Sequence, residues 1–143
     1  MPSTLKLTAS WKGDFRIDTQ GDGHTIIVDQ PEAFGGKDEG PNPLVIFLSA
    51  LGGCLGTIAA IIARQERIEI RAIEIEVEGD IDKAFLLGRT EDGRAGFTEI
   101  RVKANIDADM TDEEKEAFLE RVDARCPISD NMANDTKIAI SLD

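Results

Sequence analysis

The sequence predicts an α+β domain: short strands, one long apolar helix in the middle, further strands and a second, amphipathic helix. Three observations carry that reading. Apolar and polar residues alternate with a period of two near both ends of the chain. A 21-residue stretch without a charge, Pro43 to Ala63, divides those regions. A helix-start signature, Thr111-Asp112-Glu113-Glu114, stands between the last two strand patterns.

Leu5, Leu7, Ala9 and Trp11 alternate with polar neighbours and predict a first, half-buried strand. Phe15 and Ile17 repeat the pattern after the turn at Lys12-Gly13-Asp14, and Thr25 to Asp29 follow the turn at Gln20-Gly21-Asp22-Gly23. Two hairpins in a small antiparallel sheet result. Residues 30–43 form a loop by chemistry, punctuated by Gly35, Gly36, Gly40, Pro41 and Pro43.

The charge-free stretch begins with Pro43 in the first helical turn and ends near Arg64 to Arg67. Its length suits a bilayer crossing, but without it the remaining acidic chain has no core, so a buried central helix is expected instead. Gly52 and Gly53 are expected to bend that helix or split it. Ile73 to Glu78 alternate cleanly as a strand. Residues 79–96 are a long connection, and Phe97 to Ile106 a further strand. The helix that opens with Thr111 carries Phe118, Val122 and Cys126 at intervals of four, and Pro127 is expected to stop it. Ile138, Ile140 and Leu142 read as a final strand. Length and the absence of a linker predict one domain, residues 1–143.

Composition excludes several functions. The net charge of −12, from 28 acidic and 16 basic side chains, repels phosphate backbones and anionic lipid heads, so neither nucleic acid nor membrane is an expected partner. Two cysteines are too few for a secreted disulfide scaffold, and with the single histidine, His24, they fall short of a four-ligand zinc site unless carboxylates or a second subunit complete it. No metal or cofactor is expected. The N-terminus has no secretory pattern, and a cytoplasmic location is expected.

Cys54 follows Gly52-Gly53 inside the most apolar segment. It reads either as a small buried hydrophobe or as a thiol that two glycines leave approachable, its pKa depressed if a helix restarts there. Cys126 stands at a helix end before proline. The pair permits dithiol chemistry without establishing it.

Residues 35–54, ending in Leu51-Gly52-Gly53-Cys54, resemble the most characteristic segment of the osmotically inducible protein C / organic hydroperoxide resistance family. Gly23-His24, Phe97-Thr98-Glu99-Ile100 and Cys126-Pro127-Ile128-Ser129 match in the same order, and both cysteines fall on family cysteines. The resemblance implies an intertwined homodimer with helices packed centrally and sheets around them. It implies reduction of organic hydroperoxides, with Cys54 attacking, Cys126 resolving and an external dithiol restoring the pair. Peroxidase members carry a glutamate just after the Asn-Pro pair that fixes an arginine beside the thiolate; Leu44 and Val45 stand here instead. Lys37 is the only base in the preceding loop, and Arg16 is the candidate cation. The alternative is a member without peroxidase activity that binds a hydrophobic small molecule or senses redox state.

Overall fold

Why the elements form where they do is clearest at their ends. The computed structural model describes residues 2–143, and its contacts divide the chain into two units, residues 1–47 and 48–143.

In the first unit, β1 (Thr8–Gly13), β2 (Arg16–Gly21) and β3 (His24–Val28) form an antiparallel sheet in the order β1-β2-β3. Both hairpins turn through residues with positive φ, Asp14 after Gly13 and Asp22 before Gly23. The predicted hairpins are present, but the first strand starts at Thr8 rather than Leu5. Its apolar face is not half-buried: Leu7 is 62% and Trp11 70% exposed. Asp29, just past β3, is the only buried one among the described residues of this unit. Its carboxylate accepts from the backbone amides of Gln30 (2.8 Å), Glu39 (3.1 Å) and Lys37 (3.3 Å). These bonds fold the loop after a short 3-10 turn (Glu32–Phe34) back onto the strand.

The helix α1 (Pro43–Glu66) is continuous over 24 residues, through Gly52 and Gly53. Asn42 caps it, its Oδ1 accepting from the Val45 amide at 3.0 Å, and Pro43 takes the first position as expected. In the second unit β4 (Ile70–Asp80) pairs antiparallel with β5 (Glu99–Ala108). The connection between them holds a single helical turn, α2 (Lys83–Leu86), capped by Asp82. The helix α3 (Asp112–Arg125) starts with the predicted capping box, Thr111 with Glu114.

Pro127 does not end helical structure. It stops α3 and opens α4 (Pro127–Ala133), where a residue without an amide proton fits the first turn. The predicted final strand is not formed: beyond Ala133 the described chain is irregular. Ile138 is 81%, Ile140 91% and Leu142 100% exposed. Alternation marks strand propensity, but a strand also needs a neighbouring edge to pair with.

The core of the second unit is one cluster. Leu51, Leu55, Ala59 and Ile62 form one stripe of α1, at helical spacing, against Ile106 and Ala108 of β5 and Phe118, Val122 and Cys126. Phe118 is fully buried. On the outer face of the β4–β5 pair, Arg101 bridges Glu78, Asp80 and Glu99 at 2.7–2.8 Å.

Candidate functional site: a thiol pair between α1 and the α3–α4 junction

Cys54 lies in α1 one step from the core stripe, because position 54 follows Leu51 by three and precedes Leu55 by one. It is partly buried, whereas Cys126 is 1% exposed. Cys126 holds its place as a double cap. Its amide donates to the Asp123 carbonyl at 3.1 Å, closing α3, and its Sγ accepts from the Ser129 amide at 3.4 Å, opening α4. Two helices therefore fix one sulfur.

Cys54 packs against the buried cluster that contains Cys126. Burial first, and the neighbouring Cys54 thiol second, push the Cys126 thiol above its ordinary value, while the Ser129 and Ile128 amides pull the other way. Desolvation favours the neutral form, so Cys126 holds its proton through neutral pH. The partly exposed thiol and the buried thiol kept neutral are thus different residues of one cluster. Such a pair can form a disulfide when the accessible sulfur is oxidised.

Arg16 belongs to the first unit, on β2. Its Nε donates to Asp18 Oδ1 at 2.8 Å, and Nη1 donates to Glu39 Oε2. Both carboxylates raise its pKa, so it stays fully charged, with that charge offset by two acids. Arg16, Asp18, Asp29, Lys37 and Glu39 line a cleft of about 320 Å³ in this unit. Glu39 is the residue that sequence reasoning missed. The signal for it was present, as an acidic pair, Asp38-Glu39, in an otherwise glycine- and proline-rich loop.

These features define a dithiol protein on an α+β scaffold. The chain belongs to the OsmC-like protein family, whose model matches residues 36–141. The OsmC-like protein of Mycoplasma pneumoniae is 25% identical, with a TM-score of 0.80 over 93% of this chain and 89% of that one. An organic hydroperoxide resistance protein of Elizabethkingia anophelis is 22% identical, with a TM-score of 0.68 over 91% and 88% of the two chains. One from Legionella pneumophila is 20% identical, with a TM-score of 0.66 over 91% and 89%. No curated protein sequence matches the chain.

Proposed function

We propose that this protein is a thiol-dependent reductase of organic hydroperoxides. The observation that carries the reading is the packing of a partly exposed Cys54 against the cluster that holds a buried, neutral Cys126. In the first step the Cys54 thiolate attacks the distal peroxide oxygen. The O–O bond breaks, the alcohol leaves after taking up a proton, and Cys54 becomes a sulfenic acid. In the second step the Cys126 sulfur displaces hydroxide from that sulfenic acid. Its proton leaves with the hydroxide as water, and a disulfide forms. An external dithiol then reduces the disulfide by exchange. Arg16 is the proposed cation for the thiolate, and its release from Asp18 and Glu39 is the requirement that role carries.

The reading includes a homodimer in which the two units of each chain serve as one domain, in a reducing compartment such as the cytoplasm. Two features support the dimer. Only 22% of the most apolar window of α1 is buried within the chain, and among the described residues the first unit buries no apolar side chain of its own. A second copy supplies a cover for both. Light scattering of the purified protein checks this. A monomer, or a protein that partitions only into detergent, would overturn it.

The test of the activity is a titration of the fully reduced protein with cumene hydroperoxide and, separately, hydrogen peroxide, counting thiols and measuring intact mass. Loss of both thiols per peroxide, with the mass of an intramolecular disulfide and faster reaction with the organic peroxide, is the expected result. Thiols that survive excess peroxide in the folded protein would end the peroxidase reading. The capture of Arg16 by two carboxylates favours a second reading in that case: binding of a hydrophobic small molecule, or redox sensing, without turnover. Unchanged turnover in Arg16→Ala would remove Arg16 from the mechanism.

A further inference from the structure

The second unit holds a groove of about 580 Å³ between β5, α3 and α4, with one wall from α1. Its floor is apolar: Leu51, Leu55, Ile100, Val102, Leu119 and Met132 line it. That volume falls within the range of small-molecule sites, roughly 300–1,000 Å³. Neither cysteine lines it, although Ser129, whose amide donates to Cys126 Sγ at 3.4 Å, does.

Its charges are unevenly committed. Glu99 is bound by Arg101 at 2.8 Å, and Asp123 accepts from the Ser129 hydroxyl. Arg94 is the one cation among the lining residues, and it forms no ion pair among the described residues. Arg16, Arg71, Arg101 and Arg121 are each engaged by a carboxylate; Arg64, Arg67, Arg89 and Arg125 share the lack of an ion pair among the described residues but do not line the groove. In a chain of net charge −12, a guanidinium without an acid at the mouth of an apolar groove is complementary to an anion attached to an apolar body.

We infer that this groove binds an apolar carboxylate, with the hydrocarbon chain along Leu51, Leu119 and Met132 and the carboxylate on Arg94. Apolar burial supplies most of the affinity, and the guanidinium selects the anionic head. The assignment stands whether or not the thiols turn over peroxide, because the ligand is read by binding alone.

Sodium decanoate and 1-decanol, of equal chain length, are titrated into the full-length protein, with Kd and site read from backbone amide NMR shifts. Decanoate is expected to perturb residues of the groove and to bind at least about fivefold more tightly than decanol. Arg94→Ala should abolish that preference and leave decanol binding within about twofold. Ala133→Phe, at an exposed lining position, should weaken both ligands by occupying the groove. Equal binding of the two ligands by the parent protein, a preference that survives Arg94→Ala, shifts that map elsewhere, or no binding would each overturn the inference.

Discussion

Gly40 is the position where the smallest change should do the most damage to the first unit. A Cβ built there would lie 2.0 Å from the Ile27 carbonyl oxygen and 2.7 Å from its carbon. Both are backbone atoms of β3, so no side-chain rotation relieves the clash, and the loop must move by an ångström or more. The loop is tied where it would have to move. The Asp29 amide donates to the Pro41 carbonyl at 3.2 Å, and the Glu39 amide donates to the Asp29 carboxylate at 3.1 Å. Overpacking of this kind costs about 1–3 kcal/mol, and loss of the Asp29–Pro41 backbone bond about 1 kcal/mol more. Gly40→Ala should therefore destabilise by about 2–4 kcal/mol. At a urea dependence of roughly 1–3 kcal/mol per molar, the midpoint should fall by about 1 M or more. Gly36→Ala, whose Cβ would lie 2.0 Å from the Gln30 carbonyl oxygen, should behave alike. Urea unfolding followed by Trp11 fluorescence reports on this sheet directly. A Gly40→Ala midpoint equal to that of the parent would refute the packing of the loop on β3.

Two further expectations concern the second unit. Because burial raises the Cys126 pKa, the stability its neutral thiol contributes is complete below the ordinary thiol range, near about 8.5, and is lost as pH rises toward the folded value. Urea midpoints should fall more steeply above that range in the parent than in Cys126→Ala, and parallel pH profiles would contradict the assignment. Phe118→Ala empties the centre of the cluster and should cost about 3–5 kcal/mol by urea or thermal unfolding; a loss under about 1 kcal/mol would show that the site collapses around it.

Local chemistry was legible wherever the chain itself satisfies it. The capping box at Thr111 and Glu114, the Asn42-Pro43 entry to α1 and the turns at Gly13 and Gly23 are set by residues within a few positions of one another. The proximity of Cys54 and Cys126 was not legible, since nothing in a separation of 72 residues (126 − 54) fixes a distance. It follows from the packing of Leu51 and Leu55 against Phe118 and Val122, which aligns the faces that carry the two thiols. The continuity of α1 through Gly52 and Gly53 was also hidden. Glycine weakens a helix by about 1 kcal/mol per residue, too little to break one anchored by a buried stripe on both sides. The Arg16–Glu39 pair joins residues 23 apart through a loop whose path depends on the buried Asp29 carboxylate, and no periodicity reports that.

The two strand readings that failed on burial or pairing share one physical origin. Leu7 and Trp11 of the first predicted strand, and Ile138, Ile140 and Leu142 of the last predicted one, alternate as buried strands do and yet face solvent in the single chain. Exposed alternation costs solubility unless something covers it, and the proposed second copy is that cover. The proposal fixes the sign of a simple test. In a monomer Ile140, at 91% exposed, would accept Ile140→Asp with a change within about 0.5 kcal/mol. If a second copy covers it, the substitution forfeits about 1.5–3 kcal/mol of apolar burial and places a carboxylate in the interface. The dimer dissociation constant should then rise by at least about tenfold, measured by sedimentation across a dilution series. An unchanged constant would mean that the tail lies outside the interface, and that its alternation belongs to no strand in the assembly either.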